Sequence, residues 1–185
     1  YYRNKKGFKE GDSLLAVVIQ KMVDSDRSGV VFSRNPINMG DDIVLEAVFG
    51  LGEGIVAGKI RPDHYIISRD LKIKNIKVEE KKIAIVRNSG GKNETVNLSS
   101  ERSKSQTLTN GEALEIANLA IKLEDHYKKP QDIEFAIEAK KIYIVQSRPI
   151  TTKAKASGKQ LSGNVVVKGL GASPGVGVGV VKIVE

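Results

Sequence analysis

Residues Asp132 to Ile150 read D-I-E-F-A-I-E-A-K-K-I-Y-I-V-Q-S-R-P-I. Two runs of alternating polar and apolar residues flank Ala139-Lys140-Lys141, the pattern of a β-hairpin with one buried face. Strand side chains alternate sides, so Ile133, Phe135 and Ile137 share one face and Asp132 and Glu134 the other. On the returning strand Tyr143, Val145 and Ser147 oppose Ile144, Gln146 and Arg148. Closing the hairpin over Ala139-Lys140-Lys141 pairs Glu138 with Ile142, Phe135 with Val145, Glu134 with Gln146 and Asp132 with Arg148. The apolar pairs then fall on the core side and all four polar groups on the other. The loop lacks the glycine that such turns favour.

Two readings of that polar face stand side by side. Asp132 and Arg148 could form a cross-strand salt bridge on an ordinary solvated sheet. Alternatively, an acid beside an amide offers the hard oxygen ligands that Mg²⁺ takes, and Mg²⁺ recruits phosphates to complete its octahedron. Arg148 could then fork onto phosphate oxygens.

Upstream, Ser13–Val23 (S-L-L-A-V-V-I-Q-K-M-V) is an apolar run rich in β-branched residues, read as a buried strand. Ser28–Ser33 and Asp42–Val48 are further strands, the first closed by Asn35-Pro36. Phe49–Gly58 (F-G-L-G-E-G-I-V-A-G) is glycine-rich and enters a short helical turn that carries Glu53. It matches neither the P-loop, which ends in G-K-[ST], nor a dinucleotide fingerprint. His64–Ser68 and Ile83–Arg87 are short strands, and Lys72–Lys82 reads as an exposed basic hairpin or loop. Thr109–Lys128 is the clear helix: Thr109 and Glu112 form a capping box, and Lys128-Lys129-Pro130 ends it. Leu114, Ala117, Ile121 and Leu119 or Leu123 mark its apolar stripe. Strands and one helix in this mixed order predict an α+β fold.

Composition limits the function classes. With 40% hydrophobic and 28% charged residues the chain has the make-up of a soluble globular protein, and no apolar run reaches the roughly 18 residues of a membrane span. There are no cysteines, which excludes disulfides and thiolate chemistry, and two histidines are too few for a His-rich metal site. The net charge of +8 is spread through strands and loops without interleaved aromatics. That distribution speaks for a lysine-rich solvated surface, then for anionic small molecules such as nucleotides, and against nucleic acid. The opening Tyr1-Tyr2-Arg3, without methionine, gives the expectation of a piece of a longer protein.

Four separated motifs then agree in order and spacing: S-G-V-V-F-S-R-N-P (Ser28–Pro36), F-G-L-G-E-G-I-V-A-G-K-I-R-P-D-H-Y (Phe49–Tyr65), H-Y-K-K-P-Q-D-I-E-F (His126–Phe135) and I-V-Q-S-R-P (Ile144–Pro149). Together they resemble the phosphoenolpyruvate synthase (pyruvate, water dikinase) family. The resemblance implies that residues 1–152 are the C-terminal part of an ATP-grasp nucleotide-binding domain. Residues 153–161 would be a polar linker. Residues 162–185, with A-S-P-G-V-G-V-G-V-V, would begin a swivelling β/β/α phosphohistidine domain.

In that family ATP phosphorylates an enzyme histidine, water takes one phosphate, and the remaining phosphoryl group goes to pyruvate. The resemblance makes Glu134 a Mg²⁺ ligand with Gln146 beside it, Asp132 a support of the metal site and Arg148 the contact to the transferring phosphates. Glu53 would be a further essential carboxylate near the nucleotide, and Gln20, Met22 and Val23 would meet adenine. It places the phosphate-loop lysine and arginine upstream, and the phosphorylated histidine and pyruvate-binding barrel downstream, so this stretch alone would not turn over. His64, at a strand start, and His126, at a helix end, do not fit the phosphorylated role. Arg34 and Glu46 could line the site, but read more readily as surface or framework pairs. A cytoplasmic location, the rest of the same polypeptide as partner, and a homodimer in the full enzyme are the further expectations. The alternatives are a pyruvate, phosphate dikinase or a rifampicin phosphotransferase, and, from another class, a non-catalytic ATP-binding or regulatory module.

Overall fold

The computed structural model describes residues 5, 7 and 16–151. The linker and swivelling-domain expectations, and the start of the Ser13–Val23 run, therefore lie outside the described residues. Eleven elements follow one another among them: β1 (Arg27–Phe32), β2 (Ile43–Phe49), α1 (Glu53–Val56), β3 (Asp63–Ile67), β4 (Ile73–Lys77), β5 (Ile83–Arg87), β6 (Asn93–Asn97), α2 (Ser100–Lys104), α3 (Asn110–Tyr127), β7 (Gln131–Glu138) and β8 (Lys141–Pro149). Six strands form one sheet in the order β4-β3-β2-β1-β7-β8, and β5 and β6 pair separately. Every neighbouring pair is antiparallel. A helix laid on an antiparallel sheet bears out the α+β expectation.

The core lies between α3 and the six-stranded sheet. Val31, Leu45, Tyr65, Ile133, Phe135 and Ile137 from the strands meet Ala113, Ile116, Ala117 and Ala120 from the helix, all essentially buried. The buried stripe is thus turned from the expected one, since Leu114, Ile121 and Leu123 are only partly covered. Three alanines on the inner face let the helix axis approach the sheet closely, and the leucines then seal the margins. The capping box forms as read, with Thr109 Oγ1 accepting from the Glu112 amide and Glu112 accepting from the Thr109 amide at 2.8 Å. Lys128 ends the helix in the left-handed region (φ 55°). Burial pushes the Tyr65 phenol up to about 12, and its oxygen accepts from the Leu108 amide at 3.0 Å, joining β3 to the helix entrance.

A second cluster of Val48, Leu51, Ile60 and Ile85 seats the β5–β6 hairpin against the glycine-rich turn. Of the two readings of Lys72–Lys82 the hairpin is the one formed: residues 73–77 are β4, paired antiparallel with β3. The hairpin partner β6 and the short helix α2 had been hidden in polar sequence, where neither alternation nor apolar spacing marks them.

The described part of the apolar run before β1 is not a strand. Residues 16–25 carry no ladder, and Val17, Val18, Ile19 and Met22 are 86, 82, 97 and 62% exposed. β-branched residues favour extended backbone, but a strand needs a paired neighbour, and none of the described residues provides one to this segment. It runs beside the turn end of the β7–β8 hairpin instead: Gln20 Nε2 donates to the Val145 carbonyl at 3.4 Å, the Asp24 amide to Glu138 at 3.3 Å and the Asp26 amide to the Ile137 carbonyl at 2.8 Å.

Candidate functional site

The hairpin that opened the reading closes differently from its expected form. Ala139 and Lys140 both have positive φ (48° and 66°), so the loop is a two-residue turn and Glu138 pairs with Lys141. Phe135 consequently faces Ile144, not Val145. A β-bulge between Glu134 and Phe135 then absorbs the extra residue and restores the pairs Glu134–Gln146 and Asp132–Arg148. The bulge also turns Val145 away from the core side, and it joins Glu134 and Ala136 on the wall of a cavity.

That cavity has a volume of about 540 Å³. Its walls come from four places. Gln20, Lys21, Met22 and Val23 form one side. Ser25, Ser28, Gly29 and Val30 bring the lead-in and start of β1. The glycine-rich turn and α1 contribute Leu51, Gly52, Glu53, Ile55 and Val56, with Asn93 beside them from β6. β7 and β8 supply Glu134, Phe135, Ala136 and Val145. A smaller cavity of about 270 Å³ lies on the hairpin side of residues 20–23, lined also by Glu138, Tyr143 and Ile144.

Glycine is required at two of these positions. A side chain at Gly29 would run into the Glu46 carbonyl oxygen and the Phe135 ring. At Gly50, with φ +78°, it would meet the Ile85 oxygen at 2.1 Å. The Gly50 carbonyl accepts from the buried hydroxyls of Ser28 (2.7 Å) and Ser25 (3.3 Å), which fixes the turn to β1.

The structure brings Gln20, Met22, Val23, Glu53 and Glu134 to this one cavity. Gln146, Asp132 and Arg148 lie further along the same sheet face, outside its wall. Gln146 Nε2 donates to Glu134 Oε1 at 3.2 Å, and Arg148 Nε and Nη2 donate to Asp132 Oδ2 at 2.9 and 2.8 Å. The cross-strand salt bridge of the first reading is formed, and it lies on the same sheet face as Glu134 and Gln146. Glu53 accepts from Asn93 Nδ2 at 2.9 Å.

With the Gln146 amide nitrogen engaged on Glu134, the remaining carboxylate and amide oxygens are a hard donor pair of the type Mg²⁺ takes. Among the described residues no three His, Asp or Glu side chains converge as a metal cage. A cation here would thus draw most of its ligands from water and a phosphate-bearing molecule.

Arg34 and Glu46 are framework residues, as expected. Arg34 pairs with Asp41 and, at 3.0 Å, with Glu124; His64 Nδ1 stands 3.2 Å from Glu46. His126 packs its ring edge-on to Tyr127. Sequence reasoning missed Asn93, Ser28 and Lys21 as wall residues. Asn93 sits in a polar stretch without a motif, and the S-G-V-V pattern at Ser28 marks only a strand.

An apolar cavity ending in paired acids, an amide and an arginine on an antiparallel sheet is a frame for a nucleotide. The chain belongs to the family of the pyruvate phosphate dikinase AMP/ATP-binding domain, whose pattern matches residues 1–166. Over its whole length it is 45% identical to a probable phosphoenolpyruvate synthase of Archaeoglobus fulgidus and 41% identical to the phosphoenolpyruvate synthase of Pyrococcus furiosus. It spans 25% and 24% of those two proteins. Over 82% of its length it is 38% identical to the rifampicin phosphotransferase of Bacillus subtilis, covering 17% of that protein.

Proposed function

We propose that this chain is the Mg-ATP-binding part of a phosphoenolpyruvate synthase. In that reading it belongs to an ATP-grasp domain and serves an enzyme converting ATP, pyruvate and water to phosphoenolpyruvate, AMP and phosphate by way of a phosphohistidine. The observation that carries the proposal is the continuity of the site: an apolar cavity runs onto Glu134–Gln146 and then Asp132–Arg148 on one sheet face.

The apolar walls around Met22, Val23, Ile55 and Val145 suit a purine ring, and the backbone at 20–23, with no ladder partner among the described residues, would present its edge to adenine. Glu134 and Gln146 would hold Mg²⁺, which neutralises charge on the phosphate oxygens. Asp132 keeps Arg148 in place beside them, with the guanidinium 67% exposed and able to reach phosphate. Glu53 supplies a second carboxylate across the cavity. Phosphoryl transfer asks mainly for alignment and charge stabilisation, and these residues supply both.

Among the described residues no helix is long and apolar enough to cross a membrane. The similarity to a rifampicin phosphotransferase makes the acceptor the point to test. The full-length protein incubated with Mg-ATP and pyruvate should yield phosphoenolpyruvate, AMP and free phosphate by phosphorus NMR without added phosphate. Pyrophosphate formed only when phosphate is supplied would move the reading to a phosphate dikinase. ATP untouched in the presence of pyruvate would reject pyruvate as acceptor. In the same assay Glu134→Gln should abolish transfer with the fold intact, and near-normal turnover would reject the platform.

A further inference from the structure

The β5–β6 hairpin stands outside the six-stranded sheet, yet it is tied to the site by backbone. The Leu51 amide donates to the Ile85 carbonyl at 2.7 Å, and Gly50 and Ile85 form a parallel bridge. Because no side chain fits at Gly50, the height of the hairpin against the glycine-rich turn is set by main chain in contact with main chain. Within the hairpin Arg87 pairs with Asn93, which opens β6 directly after the turn. That turn is itself ordered. The Asn88 amide donates to the Lys92 carbonyl at 2.8 Å, and the Asn88 side-chain oxygen accepts from the amides of Gly90 and Lys92, each at 3.0 Å. From this braced position Asn93 Nδ2 reaches Glu53 Oε2 at 2.9 Å, and both side chains line the large cavity.

The choice of partner is chemically informative. Glu53 begins a helix of four residues and is exposed, so its own backbone does little to restrict its rotamers. A lysine or arginine in the place of Asn93 would hold the carboxylate but neutralise it. An amide N–H orients a carboxylate and leaves its charge and its second oxygen available.

We propose that Asn93 is a positioning residue for the nucleotide reaction: it holds the Glu53 carboxylate on the cavity wall, and the β5–β6 hairpin is the arm that delivers it. The inference rests on the reading of Glu53 as a carboxylate that acts on the bound nucleotide. It assigns a role in turnover to a hairpin that contributes no other side chain to this cavity.

The test uses the full-length protein with Mg-ATP and pyruvate and compares Glu53→Gln, Asn93→Ala and Asn93→Asp. Asn93→Ala should lower kcat about tenfold, as loss of a supporting hydrogen bond to a functional group commonly does, with KM for ATP little changed. Asn93→Asp is nearly isosteric but turns a donor into a carboxylate facing Glu53, so it should lower kcat further than alanine does. A purely structural role would give the opposite order, with the isosteric variant closest to the parent. Thermal midpoints of both Asn93 variants should stay near that of the parent. If Glu53→Gln impairs turnover while both Asn93 variants match the parent, Asn93 does not position Glu53. Rate losses that merely follow a lowered thermal midpoint would likewise overturn the proposal. If Glu53→Gln itself leaves turnover unchanged, the underlying reading of Glu53 fails, and the role of Asn93 with it.

Discussion

Two of the aspartate–cation pairs among the described residues have opposite surroundings. Asp63 and Lys81 are both completely buried. Asp63 accepts from Lys81, from the Glu79 amide at 2.9 Å, and from the Thr107 amide and hydroxyl at 2.7 and 2.8 Å, while Lys81 also reaches the Glu79 carbonyl at 2.8 Å. Asp132 and Arg148 instead meet on the open sheet face, with the guanidinium 67% exposed. The first pair ties the start of β3 to the segment before β5 and to the entrance of α3. The second ties only two neighbouring strands that are already paired. A saturated pair can serve only the framework, whereas an exposed one can exchange a partner for a ligand without leaving a buried charge behind.

The comparison is broken most directly at Lys81. Lys81→Met removes one buried partner and leaves the Asp63 charge uncompensated, which should cost about 3–5 kcal/mol of folding stability. The urea midpoint of the domain should fall accordingly. Adding Asp63→Asn should recover part of that loss, because it removes the stranded charge and its one amide oxygen can still accept from the Thr107 amide and hydroxyl, while the Glu79 amide loses its acceptor. A loss below about 1 kcal/mol for Lys81→Met would mean that the buried pair is no stronger a brace than a surface one.

The buried pair was also the harder to foresee. The hairpin face could be read from alternation, because strand periodicity sorts Asp132, Glu134, Gln146 and Arg148 onto one side whatever happens at the turn. The reading survived an error for that reason: a three-residue loop and a two-residue loop followed by a bulge give the same register beyond Glu134. The inner stripe of α3 slipped because alanine carries a weak hydrophobic signal while packing closest. Asp63 and Lys81 stand 18 residues apart with the whole of β4 between them, and no local pattern joins them. The strand expectation for Ser13–Val23 fails over its described part for the converse reason, since its composition declares a strand while no partner strand lies beside it among the described residues. Asn93 could not have been found at all without knowing that Gly50 and Ile85 touch.

His64 and Glu46 lie between the extremes, with side chains 24 and 25% exposed and Nδ1 3.2 Å from the carboxylate. The hydrogen bond to Glu46 raises the His64 pKa above its ordinary 6.5, against burial and the neighbouring Lys77, which lower it. A raised folded value means the pair's contribution is complete below the unfolded pKa near 6.5 and is lost as pH rises through the folded one. The protein should therefore lose a little stability between mildly acidic and mildly alkaline pH, by less than about 1 kcal/mol. His64→Asn should flatten that part of the profile. An unchanged slope in the variant would show that the pair adds nothing to the fold.

The smallest effect on the fold is expected where the effect on function is large. Arg148→Ala removes an exposed guanidinium from a sheet whose β7–β8 ladder stays intact, so the stability cost should be below about 1 kcal/mol. Asp132 loses its cation but stays near water, so no buried charge is stranded. If Arg148 serves the transferring phosphates, the same change should slow ATP turnover by about a hundredfold or more, because charge on the moving group loses its forked donor. High salt separates the two effects further. It should weaken the Asp132–Arg148 pair in the free protein with little change in the urea midpoint, while the Asp63–Lys81 pair, out of reach of counterions, keeps its full effect. Were Arg148→Ala to unfold the protein as Lys81→Met does, the exposed pair would be a structural brace after all. The sheet face from Glu134 to Arg148 would then have to be read as framework and not as a phosphate platform.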